Sequence, residues 1–267
     1  MTTEADNSTS SCKPVRVLAT RPQAQNDGWC ELLQQTGLAS LTVPVMVIEA
    51  IQEPQQRQAI KNLILDFDQF DKVIFVSQNA VRETLVWLDE YWPQLPQGIE
   101  YFAVGQKTAA ALQDRGIAST SCSHAMDSEE LLAMPELQQV TGQKILICRG
   151  RGGRPHLAEV LEARGARVIF GEFYCRVLPP GAVDALRNSD FSESNYREII
   201  SVFSGESLAN LVEVLNAAGI QDWRQLPVVV PGERVAKQAQ HLGFSQVITA
   251  TNATDAAMLE ALQCRLI

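Results

Sequence analysis

The sequence predicts an α/β fold of two doubly wound parallel-sheet domains joined by a two-stranded β-ladder hinge. Three observations predict it. Short β-branched apolar runs alternate with amphipathic stretches of about 12 residues, the pattern of βα units. Three blocks of this kind occur twice. Arg21 and Arg149 lie 128 residues apart, while Ser77 and Ser204, and Gly105 and Gly232, lie 127 apart. Two of the apolar runs also continue past the usual strand length of about 5–6 residues.

The elements follow in order. VRVLA (15–19) is a strand, and a helix from Pro22 to near Gly37 follows it. SLTVPV (40–45) continues into MVIEA. KVIFV (72–76) and YFAV (101–104) each lead into a helical pattern. The second copy runs KILIC (144–148), RVIFGE (167–172) continuing into FYCRVL, IISVF (199–203), VVVP (228–231) and QVITA (246–250). The runs do not alternate in polarity, as expected when helices cover both sheet faces. One sheet per repeat is the simplest expectation. The two overlong runs are read as a paired bridge near 44–47 and 173–176, or as two ordinary edge strands.

Composition limits the function. The chain has 267 residues, 46% of them hydrophobic, enough for a large core. It carries 22 Lys and Arg against 31 Asp and Glu, a net charge of −9. That argues against nonspecific nucleic-acid binding. No apolar run reaches the roughly 18–20 residues of a membrane span. Residues 1–13 are polar, resemble no export signal and read as a disordered tail. Cys12, Cys30, Cys122, Cys148, Cys175 and Cys264 are scattered, as are His124, His156 and His241. No spacing suits a metal.

The motifs point to anions. Four strands run directly into helices, at Ser77-Gln78-Asn79, Gly105-Gln106-Lys107-Thr108, Ser204-Gly205-Glu206-Ser207 and Gly232-Glu233-Arg234. Unpaired amides and partial positive charge at a helix start suit a carboxylate or phosphate. Taken singly, Ser77 and Ser204 are N-caps and the glycines are turn residues. Opening together on a shared cleft, the four make a binding surface. RGRGGR (149–154) is a glycine-rich turn or an anion-contacting loop using Arg149, Arg151 or Arg154. Pro155 stands where a dinucleotide fingerprint needs its third glycine, and no phosphate loop is present.

The ordered set VLATRP (17–22), FVSQNAV (75–81), FAVGQKTA (102–109), ILICRGRGGR (145–154), FYCR (173–176), VFSGESL (202–208) and VVPGERVA (229–236) resembles the uroporphyrinogen-III synthases. The resemblance runs from about Val15 to Leu262. It implies two domains that do not coincide with the repeats: 14–44 plus 177–267, and 47–173. It implies an enzyme of haem biosynthesis, a cyclising hydro-lyase that closes hydroxymethylbilane with loss of water and inversion of ring D. It implies no cofactor and no metal, a cytoplasmic monomer, transient contact with the bilane-forming enzyme, and no nucleic-acid or membrane partner.

By the same resemblance Tyr174 is the catalytic candidate, a phenol facing the cleft that helps the hydroxyl leave, or else an aromatic spacer. Substrate contacts are expected from Arg21, Ser77, Gln78, Asn79, Gly105, Lys107, Thr108, Arg149, Arg151, Ser204, Gly205, Glu206, Ser207, Gly232, Glu233 and Arg234. Glu233 and Arg234 depart from the family's pattern, leaving donation there to the backbone. Strand alternation sends Tyr174 to one face of its strand and Phe173 and Cys175 to the other. The alternative reading is a two-domain binding protein for a polycarboxylate, without catalysis. A periplasmic-type binding module would need an export signal, and a nucleotide-binding regulator a phosphate loop.

Overall fold

β1 (Val15–Ala19) is followed by α1 (Gln23–Gln35) and β2 (Ala39–Thr42). The computed structural model describes residues 13–121, 128–153, 155–191 and 195–266; the expected tail up to Cys12, and Cys122, His124 and Arg154, lie outside the described residues. The chain continues with β3 (Val47–Ala50), α2 (Pro54–Leu65), β4 (Lys72–Phe75), α3 (Gln78–Tyr91), β5 (Glu100–Ala103), α4 (Gln106–Gln113), β6 (Thr120–Ser121), α5 (Ser128–Leu132), β7 (Lys144–Gly150), α6 (His156–Ala163) and β8 (Arg167–Val177). It ends with α7 (Ala182–Arg187), β9 (Arg197–Ser201), α8 (Gly205–Ala218), β10 (Val228–Pro231), α9 (Glu233–Leu242), β11 (Val247–Ala250) and α10 (Asp255–Leu266).

Chain contacts divide these elements into two compact units. One is Ile48–Arg176; the other combines the residues up to Val47 with those from Val177 on. In the discontinuous unit the sheet order is β11-β10-β9-β1-β2, with every pair parallel. Alternate residues of its strands feed two cores. Leu18, Ile200, Val228 and Val230 pack under α8 and α9. Val17, Ala19, Ile199 and Val229 pack with Trp29 of α1 and Met258 and Leu262 of α10. Both faces are therefore covered, which is why the strands read as continuous apolar runs.

The continuous unit has the order β3-β8-β7-β4-β5-β6. Val73, Phe75, Leu146 and Cys148 pack with α3 on one face, while Ile74, Phe102, Ile145 and Ile147 pack with α5 and α6 on the other. In α3 the buried Ala80, Val81, Thr84, Leu85, Trp87 and Leu88 recur at helical spacing.

Neither sheet comes from one repeat, contrary to the simplest expectation. The βαβ piece β1-α1-β2 lies beside β9, β10 and β11 from the second copy. Its counterpart β7-α6-β8 lies beside β4, β5 and β6 from the first. In each sheet the strand order thus reverses where a βαβ piece meets the other copy's strands, at β1/β9 and at β7/β4, although all these strands run parallel. In open α/β sheets that reversal is where ligands bind, beyond the carboxyl ends of the strands.

One long strand is real and the other is not. RVIFGEFYCRV is a continuous strand of 11 residues. SLTVPVMVIEA breaks between Thr42 and Val47. Pro44 has no N–H to give a ladder, and only Val43 and Val45 reach back, to the carbonyls of Ala19 and Thr20 at 3.0 and 3.1 Å. The expected pairing at 44–47 is therefore corrected: residues 44–46 form no strand, and the neighbour of β8 on the side away from β7 is β3, which begins at Val47.

Candidate active site

At the reversal point of the continuous unit, β4 ends at Phe75 and Ser77 caps α3. The Ser77 hydroxyl oxygen accepts the Ala80 amide at 3.1 Å. The same oxygen lies 3.1 Å from the Tyr174 phenol oxygen. Tyr174 is only 2% exposed: its ring is packed and its oxygen lies against that of Ser77.

A β-bulge puts the ring there. β7 and β8 pair Arg149 with Glu172 but Gly150 with Tyr174, so Phe173 is the extra residue. The bulge resets the alternation, and Phe173 and Tyr174 enter the same core. The expectation that they face opposite ways is therefore overturned. Gly150 makes the room: a Cβ there would stand 2.5 Å from Cε2 of Tyr174. The Tyr174 carbonyl accepts the Arg151 amide at 2.8 Å, which fixes the backbone beyond the bulge.

Two arginines of the glycine-rich turn, Arg149 and Arg151, meet other parts of the protein. Arg149 is buried, its guanidinium 4.5 Å from the Phe170 ring centre, in space that a Cβ on Gly153 would fill. Burial pulls its pKa down, and nearby Glu172 opposes the shift. Arg151 pairs with Glu53 at 3.0 Å and also bonds Gln56. Cys148, on the same strand, is fully buried and its thiol pushed up by desolvation, so it is no thiolate nucleophile. The Cys175 thiol lies 3.6 Å from the Glu49 carbonyl.

The second helix start in this unit is α4. Gly105 has φ 84°, a conformation that favours glycine. Gln78 donates to the Lys107 carbonyl at 3.2 Å, so the starts of α3 and α4 lie together. Thr108 is buried and its hydroxyl donates to the Val104 carbonyl at 2.9 Å. Asn79 stands in the first turn of α3.

The discontinuous unit repeats this plan. Ser204 caps α8 and accepts the Ser207 amide at 3.0 Å. Gly232 at φ 92° precedes α9, whose first turn holds Glu233 and Arg234, both exposed. Gln238 donates to the Gly205 carbonyl at 2.8 Å, bringing the starts of α8 and α9 together. Glu206 lies exposed in the first turn of α8. Arg21 follows β1, pairs with Asp255 and stacks 3.7 Å over the Phe203 ring. Asp255, Phe203 and Gly150 escape sequence reasoning, since only the folded topology brings them to these positions. Among the described residues no group of three His, Cys, Asp or Glu is placed to hold a metal ion.

The model of the family described as uroporphyrinogen-III synthase matches residues 27–260. The chain belongs to that family. The uroporphyrinogen-III synthases of Escherichia coli and Salmonella typhimurium are each 32% identical over 256 residues, covering 92% of this chain and 99% of theirs. The fold is shared with uroporphyrinogen III synthase structures. That from Helicobacter pylori superposes with a TM-score of 0.61 at 17% identity, covering 95% of this chain and 100% of that one. A mutant form from Thermus thermophilus gives 0.60 at 18%, covering 94% and 98%. Ser77 and Tyr174 are polar side chains that the continuous unit joins at its reversal point. No helix among the described residues is long and apolar enough to cross a membrane.

Proposed function

We propose that this chain is the cytoplasmic cyclase that converts hydroxymethylbilane to uroporphyrinogen III, acting as a monomer in haem biosynthesis. The family match across residues 27–260 carries the reading. Residues 14–44 with 177–267 act as one domain and 47–173 as the other. The substrate is a linear tetrapyrrole rich in carboxylates. Helix-start amides at Ser77, Gly105, Ser204 and Gly232 hold those carboxylates without needing net positive charge. Arg21 and Arg234 add charge-assisted bonds. Contact with the enzyme that makes the bilane hands over a reactive substrate.

The chemistry asks little of covalent machinery. An electron-rich pyrrole expels its hydroxymethyl oxygen as water once that oxygen is protonated, leaving an azafulvene cation. The free bilane closes spontaneously without inversion. The enzyme's task is to hold ring D so that its substituted carbon is attacked, which is catalysis by positioning. Tyr174 supplies the proton.

General acid help is typically worth about 10²–10⁴-fold. Because the hydroxyl is an easy leaving group, Tyr174→Phe is expected to lower kcat by roughly 10²-fold or less. The type III isomer remains the product, and EDTA leaves the wild-type rate unchanged. Wild-type turnover by Tyr174→Phe would place the acid elsewhere.

A further inference from the structure

The two copies of the chain cap equivalent helices with equivalent serines, yet give the hydroxyls different partners. Ser77 and Ser204 share an extended backbone, at φ −166° and ψ 163° against φ −157° and ψ 158°. Each accepts the amide three residues on. In α8 that residue is Ser207, whose hydroxyl oxygen lies 2.9 Å from that of Ser204. In α3 it is Ala80, which has no hydroxyl. The Ser77 hydroxyl instead meets Tyr174 at 3.1 Å.

We infer that Ser77 is a positioning residue that donates to the Tyr174 oxygen and so turns the phenol proton toward the substrate. The inference rests on Tyr174 being the acid. Ser77 already accepts the Ala80 amide and has one proton to give. The positive end of α3 favours a lone pair of the phenol facing it over a proton. A phenol proton lies in the ring plane on one side of its oxygen. With Ser77 donating on one side, the proton takes the other. The ring cannot swing away, because it is packed over Gly150.

In the step that follows, the Tyr174 O–H bond breaks and its proton passes to the hydroxymethyl oxygen. The C–O bond breaks, water leaves, and the pyrrole nitrogen lone pair forms the azafulvene cation. The phenolate keeps the Ser77 bond. It regains its proton from the cyclised product as the last pyrrole recovers aromaticity.

The test is a double-mutant cycle on type III formation from hydroxymethylbilane, with Ser77→Ala, Ser77→Thr and Ala80→Ser made in wild-type and Tyr174→Phe backgrounds. Ala80→Ser keeps the cap but offers Ser77 the partner that Ser204 has. In the wild-type background Ser77→Ala and Ala80→Ser are expected to lower kcat roughly 3- to 10-fold, the worth of one neutral hydrogen bond, with KM unchanged. Ser77→Thr keeps most of the rate. In the Tyr174→Phe background neither change lowers kcat further. Equal losses in both backgrounds, or wild-type kcat in Ala80→Ser, overturn the inference. If Ser77→Ala fails to fold, Ala80→Ser decides alone. A wild-type protein that forms no type III isomer overturns the activity itself, a distinct failure.

Discussion

Gly150→Val is expected to lower kcat by as much as losing the phenol does, up to roughly 10²-fold, since displacing a catalytic group by about 1 Å forfeits its contribution. A Cβ at this position would stand 2.5 Å from Cε2 and 2.8 Å from Cζ of Tyr174. Phe173 fills the neighbouring core, so the ring has no free space to retreat into. The clash therefore pushes the phenol off Ser77. Overpacking also costs about 1–3 kcal/mol of stability. Adding Tyr174→Ala removes the ring and should restore stability without restoring turnover. Steady-state kinetics and thermal unfolding of the two variants check this. Wild-type kcat in Gly150→Val would mean that the position of the phenol does not matter.

Arg16→Met is expected to cost about 3 kcal/mol of stability, because it leaves a buried carboxylate unpaired. Arg16 on β1 stands directly across from Glu198 on β9, and both are buried. The guanidinium meets Glu198 at 2.6 Å and Asp190 at 2.7 Å, and lies 4.6 Å from the centre of the Tyr196 ring. Burial pulls the Arg16 pKa down, but the bonds to Glu198 and Asp190 outweigh it and the net shift is upward. Adding Glu198→Leu to Arg16→Met should recover most of the loss, since a packed apolar pair is often as stable as a buried ion pair. Denaturant unfolding of the single and double variants measures it. Turnover at low temperature should survive in both, because the pair touches none of the helix starts proposed to hold the substrate. Equal stability of wild type and Arg16→Met would contradict the expectation.

The repeat and the βα alternation were legible because the central strands are covered on both faces and α3, α4, α8 and α9 each follow a Ser or a Gly. β1 and β10 fall at the residues the apolar runs mark. What could not be read is which copy a strand pairs with, since β1 and β7 carry the same kind of apolar run. The break at Pro44 was visible as a residue, but its effect depends on β1 ending at Ala19, which leaves Val43 and Val45 nothing regular to pair with.

At the site the helix starts were legible from their residue types. The partners of their side chains were not. Thr108 and Arg151 are candidates in sequence for their residue types, and only the fold shows that the first bonds the Val104 carbonyl and the second pairs with Glu53. Period-two reasoning failed at Tyr174 because a bulge adds one residue to β8, and its signal, two adjacent buried aromatics opposite a glycine, needs the register to be known.

The most direct test of the account is isomer analysis of the product. Purified wild-type protein is given hydroxymethylbilane in the presence of EDTA, the product is oxidised, and type I and type III porphyrins are separated. The account predicts type III, at a rate proportional to protein. Type I alone, at the rate seen without protein, would contradict it.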